Sequence, residues 1–250
     1  MTNIACGIDI GGSGIKGALV DLTSGEFIGE RVRIETPHPA TPEAVAKTCV
    51  EVLSQLQAPA DVPVGIAMPA PLPQGIVPFM ANLDASWEGV HAQSMYESFL
   101  GHPVTVLNDA DAAGLAEAVF GAAQGQDGLV IVTTLGTGIG SALIYRGVLI
   151  PNSELGHLEI GGYDAESRAS AAQRVKQDLG WKKWAKRLQK YYSHVEMLFS
   201  PDLFVVGGGV SKNSDKFLPL LSLRTPIIPA QLRNRAGIVG AAVAADRANQ

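Results

Sequence analysis

The feature that most constrains the fold of this chain is an order of predicted elements that occurs twice. In the first half, three runs rich in Val and Ile are followed by alternating helices and strands, which gives the order βββαβαβα. Thr41 and Pro42 predict the start of the first helix, as its N-cap and first residue. The predicted elements are strands at 4–10, 15–22 and 27–34, a helix from 42, a strand at 64–68, a helix at 92–100, a strand at 104–107 and a helix at 109–120.

The second half repeats this order of elements without repeating the sequence. We therefore predict an α/β protein with two related domains, a smaller one at 1–108 and a larger one at 109–236. We leave open that the C-terminal helix, at about 237–250, packs back on the first domain. The predicted elements of this half are strands at 129–135, 139–145 and near 148, a helical region at 166–199, a strand at 203–206, a helix after 209, a strand at 225–228 and a helix at 237–248.

Composition excludes several classes of protein. Hydrophobic residues make up 46% of the 250 residues and charged residues 17%, which is typical of a folded globular chain. The formal net charge of −5 argues against a nucleic-acid partner. Two cysteines, Cys6 and Cys49, cannot build a disulfide framework or a multi-cysteine zinc site, which favours a reduced, cytoplasmic setting. Prolines and glycines break the long uncharged stretches, and no basic segment opens the sequence, so we expect neither a membrane span nor a signal peptide.

A glycine-rich turn stands between the first two predicted strands of each half. The first is DIGGSGIKG, residues 9–17, and the second is TLGTGIGS, residues 134–141. The first matches the G-x-G-x-x-G dinucleotide fingerprint, but that fingerprint needs a helix next, and here a strand follows. The Walker A sequence is also absent. Either turn alone is compatible with a plain hairpin, whereas the pair suits a duplicated fold that holds one phosphate chain through backbone N–H groups.

Two charged residues of the first turn add to this phosphate hypothesis. Lys16 supplies a positive charge, and Asp9 can hold a hydrated Mg²⁺. A third glycine cluster, at Gly208 and Gly209, suits close approach by a base or a phosphate, and the alternative there is an ordinary strand-to-helix turn. The candidate phosphate-binding residues of the two turns are Asp9, Gly11, Gly12, Ser13, Gly14, Lys16, Gly136, Thr137 and Gly138.

Asn108 and Asp109 stand where a predicted strand ends and a helix begins. An Asp at this point is often only the N-cap of the helix. The alternative is functional, because strand ends at the edge of an α/β sheet carry ligands. A carboxylate there could accept a hydroxyl proton as that oxygen attacks a phosphoryl group.

A cluster of acids and one histidine follows the second hairpin. Glu154 and His157 belong to the sequence ELGH, and Glu159, Asp164 and Glu166 come shortly after. Such groups suit hydrogen bonds to the vicinal hydroxyls of a sugar. A metal site is the alternative, since His and carboxylates also ligate zinc, although no cysteine is nearby.

The region from Arg174 to Lys190 contains seven of the 19 basic residues of the chain and one acid, Asp178. The apolar residues of this predicted helix (Trp181, Trp184, Leu188, Tyr191, Val195 and Leu198) share one face, which is typical of core packing. A basic stripe on the opposite face is either a solvated surface or a path for a long polyanion. The stripe consists of Lys182, Lys183, Lys186, Arg187 and Lys190.

Together, these motifs resemble the ROK family of sugar kinases, and most closely its polyphosphate glucokinase branch. The resemblance covers essentially the whole chain and is carried by the blocks IDIGGSGIKG, VLNDADAAGLAE, TLGTGIGSA, ELGHLE, VGGG and AGIVGAA. It implies an actin-like, hexokinase-like ATPase fold with duplicated, ribonuclease H-like domains. It also implies transfer of the terminal phosphoryl group of inorganic polyphosphate, with ATP as a further donor, to the 6-hydroxyl of glucose.

The resemblance implies a role for each candidate residue. Asp109 would be the general base, Thr137 a hydroxyl donor within the second phosphate turn, and Mg²⁺ the metal, held through water near Asp9. A homodimer is implied by the resemblance alone. The implied sugar-binding residues are Asn82, Asn108, Glu154, His157 and Glu166.

Three departures from the family pattern bear on these expectations. The Cys-x-Cys cluster that follows Glu-x-Gly-His in most members is absent, so we expect no structural zinc. No helix-turn-helix precedes the first strand, which argues against a non-catalytic, sugar-sensing regulator. Pro69-Ala70 stands where the family usually has Pro-Gly, which leaves glucose and mannose open as substrates. A strictly ATP-dependent kinase of mannose, fructose or an amino sugar is the other alternative.

Overall fold

The structure is a computed structural model that describes residues 3–249. The chain divides into two compact units. One comprises the residues up to Ala112 together with those from Arg235 onward, and the other comprises Ala113–Asn234. Residues 1, 2 and 250, which the predicted ranges included, lie outside the described residues. Among the described helices, none combines the length and the apolar composition that a bilayer crossing requires.

The sheet of the first unit joins an antiparallel meander to two parallel strands. β1 pairs antiparallel with β2 and parallel with β4, and the spatial order is β3-β2-β1-β4-β5. The apolar side chains on one face of this sheet pack with α1 and α2 in a buried core, and Thr41 caps α1 as predicted. The elements are β1 (Ile4–Gly11), β2 (Gly14–Asp21), β3 (Glu26–Ile34), α1 (Pro42–Gln55), β4 (Val64–Met68), α2 (Ala92–Leu100), β5 (Val104–Asn108) and α3 (Asp109–Phe120), which continues into the second unit.

The sheet of the second unit has the same topology. β6 pairs antiparallel with β7 and parallel with β9, and the spatial order is β10-β9-β6-β7-β8. In both sheets, the first strand of the set is therefore central, with a meander on one side and parallel strands on the other. This confirms the predicted duplication. The elements are β6 (Leu129–Leu135), β7 (Ile139–Tyr145), β8 (Val148–Ile150), α4 (Glu166–Ala169), α5 (Ala171–Lys176), α6 (Trp181–Phe199), β9 (Leu203–Gly207) and β10 (Ile227–Pro229).

The region predicted to be helical at 166–199 is helical in the structure, where it is divided into the three helices α4, α5 and α6. Ser170 is extended and its hydroxyl caps α5, and Asp178 takes a left-handed conformation with φ +46° before α6. Leu198 was assigned to the apolar face of α6 but is 52% exposed, since the cluster that buries Trp184 and Val195 does not include the last turn of the helix.

Two smaller expectations about the second half also need correction. The helix predicted after 209 is a 3₁₀ segment, Gly209–Lys216, with a non-helical residue at Asn213. The strand predicted at 225–228 is β10, which begins two residues later. Its pairing with β9 aligns Ile227 with Phe204, so the register of the sheet rather than local composition sets its start.

The last helix, α7 (Ala236–Ala248), packs its backbone directly against the first sheet. A Cβ atom on Gly7 would overlap the carbonyl oxygen of Ile238, and one on Gly65 would overlap that of Ala241. A Cβ on Gly240 would in turn overlap a backbone oxygen at the start of α3. Glycine at these positions is therefore required for the helix to approach the strands so closely.

We expect Gly65→Ala to lower the free energy of unfolding by ~3 kcal/mol, because the added methyl group meets backbone that cannot move without disturbing the sheet. The measurement is the midpoint of chemical denaturation followed by circular dichroism. Gly180→Ala is the matched control, since a Cβ there meets nothing within 4 Å, and it should cost less than about 1 kcal/mol. Equal midpoints for Gly65→Ala and wild type would contradict the close approach of α7.

Candidate active site

The first candidate phosphate turn is the tight connection between β1 and β2. Gly11 pairs with Gly14, so that Gly12 and Ser13 form an exposed two-residue turn. Arg33 of β3 donates a hydrogen bond to Ser13 O at 2.9 Å and so holds the turn to the sheet. The backbone of the turn is thus fixed and exposed, as a phosphate cradle requires.

Asp9 and Lys16 face each other across this hairpin. They are register partners, and Lys16 Nζ lies 3.4 Å from Asp9 Oδ2. The first turn of α7 lies beside the carboxylate, because a Cβ on Gly237 would come within 3.0 Å of Asp9 Cγ. A helix N-terminus favours negative charge, which suits a carboxylate or a nearby phosphate. A partly exposed carboxylate next to a phosphate cradle also fits a hydrated Mg²⁺, which takes one or two carboxylates and keeps several waters.

Asn108 and Asp109 lie at the edge of the same sheet as this turn. β1, β4 and β5 run parallel, and the register aligns Asp9 with Ala67 and Met68 with Asn108. Asn108, which is only 5% exposed, caps α3, since its Oδ1 accepts hydrogen bonds from the next N–H groups of the helix at 2.8 and 3.1 Å. Asp109 is half-buried and is the first residue of the helix. The capping alternative raised for Asp109 therefore applies to its neighbour.

Asn82 belongs to a loop that runs past the glycine turn. A Cβ on Gly12 would lie 3.2 Å from the carbonyl oxygen of Asn82, so the two backbones are close. The Asn82 side chain is exposed. The first unit thus gathers the turn, Asp9, Lys16, Asn82 and the start of α3 in one region.

The second candidate phosphate turn connects β6 and β7. Gly136 N–H donates to Gly138 O at 3.0 Å, which closes the turn, and Thr137 is exposed at its tip. Glu166 Oε2 accepts a hydrogen bond from Ile139 N at 2.9 Å. A Cβ on Gly138 would overlap this carboxylate, so glycine is what allows α4 to lie against the hairpin.

Two hydroxyl groups hold the ELGH segment against β7. Ser141 Oγ donates to Ser153 O at 2.8 Å and accepts from Leu155 N at 2.9 Å, and Ser153 Oγ donates to Ser141 O at 2.9 Å. These bonds fix the short 3₁₀ helix Leu155–His157 that follows Glu154. Neither serine was predicted, because a lone Ser in a strand carries no recognisable signal.

The acids and the histidine of this segment come together. His157 Nδ1 lies 2.8 Å from Asp164 Oδ2, and potential ligand atoms of His157, Asp164 and Glu166 lie within 4.8 Å of one another. The distances in this cluster are therefore also compatible with the metal site that the sequence left as an alternative.

The surroundings of this cluster shift the pKa values of two of its groups. Burial raises the pKa of Glu154, and the hydrogen bond to Asp164 raises the pKa of His157. The half-exposed carboxylates of Glu154 and Glu166, next to the imidazole that Asp164 orients, also suit hydrogen bonds to the hydroxyls of a sugar. Glu159 is exposed and pairs by backbone with Asp164.

Gly208 and Gly209 follow β9 beside the second turn. Gly208 has φ +80°, and a Cβ there would overlap the carbonyl oxygen of Leu135, the last residue of β6. Gly209 is exposed, and a Cβ on it would meet nothing within 4 Å. The second unit therefore gathers this cluster and the Gly136–Gly138 turn at one edge of its sheet.

A family model described as "ROK family" matches residues 5–168. The chain belongs to the ROK family. Polyphosphate glucokinase of Mycobacterium tuberculosis strain H37Rv is 51% identical over 239 residues, which cover 95% of this chain and 89% of that protein. The crystal structure of inorganic polyphosphate/ATP-glucomannokinase from Arthrobacter sp. strain KM has 54% identity and a TM-score of 0.93, and the match covers 99% of both chains. A ROK family glucokinase from Streptomyces griseus, in complex with glucose and AMPPNP, has 26% identity and a TM-score of 0.84 over 98% of this chain and 99% of that one.

The ROK kinases have the actin-like ATPase fold, and the duplicated sheets of this chain are an instance of it. The predicted family and fold are thereby confirmed. The sequence of this ROK protein indicated His157 as a site residue but did not predict its pairing with Asp164, seven residues away. A small hairpin, Leu158–Ala165, reverses the chain and brings Asp164 next to His157. Arg33 and Gly237 were also missed, since each acts on the first turn from a distant part of the chain.

We expect Asp164→Asn to lower the pKa of His157 toward its ordinary value, because the amide loses the charge that stabilises the imidazolium. The measurement is an NMR titration of the histidine ring protons, with His102 of the first unit as internal reference. An unchanged His157 titration would contradict the pairing.

The same substitution should also change the stability of the protein, and the size of this change should depend on pH. A raised pKa in the folded state means that the pair stabilises the protein fully below the ordinary histidine pKa of ~6.5, and that this contribution is lost as the pH rises through the folded value. Asp164→Asn should therefore lower the melting temperature more in mildly acidic than in alkaline solution. A melting-temperature difference that grows with pH would contradict this.

Proposed function

We propose that this protein is a polyphosphate glucokinase, which transfers the terminal phosphoryl group of inorganic polyphosphate to the 6-hydroxyl of glucose and forms glucose 6-phosphate. ATP is a second donor in this proposal. The observation that carries it is the 51% identity, over 95% of the chain, to a protein named polyphosphate glucokinase. The Arthrobacter relative, whose name includes both donors, supports the inclusion of ATP, and it also supports mannose as a second acceptor.

Asp109 is proposed as the general base. It is the first residue of α3, directly after Asn108, whose Oδ1 accepts hydrogen bonds from the next N–H groups of the helix. Its carboxylate is half-buried at the edge of the sheet that carries the first glycine turn. As the sugar oxygen attacks, Asp109 would accept the hydroxyl proton, an effect worth about 10²–10⁴-fold in rate.

The two glycine turns are proposed to hold the donor. Their backbone N–H groups would donate hydrogen bonds to phosphate oxygens, with Lys16 adding a positive charge and Thr137 a hydroxyl donor. Gly208 and Gly209 would allow a further close approach next to the second turn. Mg²⁺, held near Asp9, would neutralise phosphate charge when bound.

The sugar is proposed to bind at Glu154, His157 and Glu166, with Asn82 and Asn108 as further contacts. Because His157 Nδ1 is engaged by Asp164, the other ring nitrogen, Nε2, is oriented for a sugar hydroxyl. The homodimer implied by the family resemblance and the cytoplasmic location expected from the composition remain part of this proposal.

A coupled assay of glucose 6-phosphate formation tests the function directly. Purified protein is given glucose and Mg²⁺ with either long-chain polyphosphate or ATP as donor. We expect turnover with polyphosphate and a lower or comparable rate with ATP. Turnover with ATP alone would favour the strictly ATP-dependent kinase, and a panel of mannose, fructose and amino sugars would identify its substrate. No turnover of any sugar with either donor would contradict a kinase and favour the regulator.

Asp109→Asn should lower kcat by about 10²–10⁴-fold and leave the KM for glucose close to that of wild type, because the amide keeps the shape but cannot accept the proton. The measurement is steady-state kinetics with saturating donor. Asp61→Asn, at an exposed loop position of the same unit, is the matched control and should behave as wild type. Near-normal turnover of Asp109→Asn would remove this residue from the role of base.

A further inference from the structure

The second unit contains a pocket of about 270 Å³ between the segment 160–169 and α6. Three cationic side chains line it: Arg168 from α4, and Arg187 and Lys190 from α6. The remaining lining residues include Tyr163 and Tyr191, and none of them carries a carboxylate. The pocket therefore combines a defined volume with a strong positive charge.

The charges in this pocket are not neutralised by neighbouring acids. Within residues 3–249, no carboxylate lies within 4.0 Å of the charged groups of Arg168, Arg187 or Lys190. The nearest acid in sequence, Glu166, accepts a hydrogen bond from Ile139 N–H, and Asp164 is engaged by His157 and by Ser167 N–H. Like charges held together repel one another, so a bound anion would stabilise this arrangement.

Neutral contacts hold two of the three cations in place. Arg168 stacks over the ring of Tyr163, with its guanidinium carbon 3.7 Å from the ring centroid. Arg187 donates to Arg168 O at 2.9 Å and to Gln177 Oε1 at 2.8 Å. These contacts fix the groups without consuming their charge, which reduces the entropy lost when a ligand binds.

One polar atom at the pocket also has no hydrogen-bond partner. Tyr191 lines the pocket, and its hydroxyl is buried without a partner among the described residues. A buried hydroxyl without a partner is costly, and a ligand oxygen is one way to satisfy it.

The pocket is close to the second phosphate turn. Glu166, the first residue of α4, contacts the β6–β7 hairpin at Gly138 and Ile139, and Arg168 in the same four-residue helix lines the pocket. Two exposed lysines of α6 extend this positive charge along the helix. Lys183 lies one helical turn before Arg187, and Lys186 lies one turn before Lys190. A row of cations thus continues from the pocket along about 10 Å of helix.

We propose that this pocket is a second phosphate site, which binds phosphates of a polyphosphate chain beyond those at the glycine turns. This inference rests on the proposed function and deepens it. ATP ends in a nucleoside after three phosphates, whereas a long chain offers phosphates to both places at once. Binding at two linked places raises the effective affinity for the longer donor.

The test compares a double variant with a control of equal charge change. Arg168→Gln/Lys190→Gln removes two pocket charges and leaves Arg187, whose hydrogen bonds support the backbone of α4. Arg31→Gln/Lys47→Gln removes two exposed charges from the first unit. A third protein, Arg168→Lys/Lys190→Arg, retains the charge of the pocket. Melting temperatures of all variants establish that they are folded.

Kinetics with long-chain polyphosphate and with ATP give the first readout. For the pocket variant, we expect the KM for long-chain polyphosphate to rise about tenfold or more, which corresponds to ~1.4 kcal/mol. Its kcat and its KM values for ATP and glucose should stay near those of wild type. The control and the charge-retaining variant should both resemble wild type. An equal rise for the two donors, or no rise for polyphosphate, would overturn the proposal.

Equilibrium binding in the absence of glucose gives a second readout that does not depend on turnover. Long-chain polyphosphate, inorganic phosphate and glucose 6-phosphate are titrated into wild type and the pocket variant by calorimetry. Weaker binding of long-chain polyphosphate alone supports the proposal, even if wild type turns over only ATP and the proposed donor is wrong. Unchanged polyphosphate binding, or a loss confined to inorganic phosphate or glucose 6-phosphate, would overturn it.

Discussion

The first unit depends on the direct contact between the backbone of α7 and the sheet. Gly7, Gly65 and Gly240 lack side chains at the points of contact, so the helix and the strands meet backbone to backbone. The contact joins the two ends of the chain in one unit and brings the first turn of α7, at Gly237, beside Asp9. The same packing that closes the core therefore also sets the electrostatic surroundings of a candidate phosphate-site carboxylate.

In the second unit, the side chain of Glu166 connects the parts of the candidate site. Glu166 accepts a hydrogen bond from Ile139, lies against Gly138, and belongs to the same cluster as His157. One carboxylate thus links the candidate donor turn to the candidate sugar site. The helix that it begins also carries Arg168 into the cationic pocket, so three candidate binding sites depend on the position of α4.

Local patterns predicted most elements because local physics determines them. Alternation of apolar residues gave the strands, and Thr41 with Pro42 gave the start of α1. The helical region at 166–199 was predicted, but its division into three helices was not, because that division depends on the side-chain cap of Ser170 and the left-handed backbone of Asp178. Both features are compatible with a helix in the sequence and are recognisable as breaks only once the neighbouring elements are packed.

The sequence by itself determined the duplicated order of elements, the two glycine turns and the chemical types of the candidate residues, because these depend on neighbours a few positions apart. Only the tertiary structure decided that Asp164 orients His157, that Asn108 rather than Asp109 caps α3, and that α7 returns to β1. It also decided which part of the basic stripe forms a pocket, since Arg187 and Lys190 line it and Lys182 does not. Such outcomes depend on which distant segment packs against each residue, and no local pattern records that.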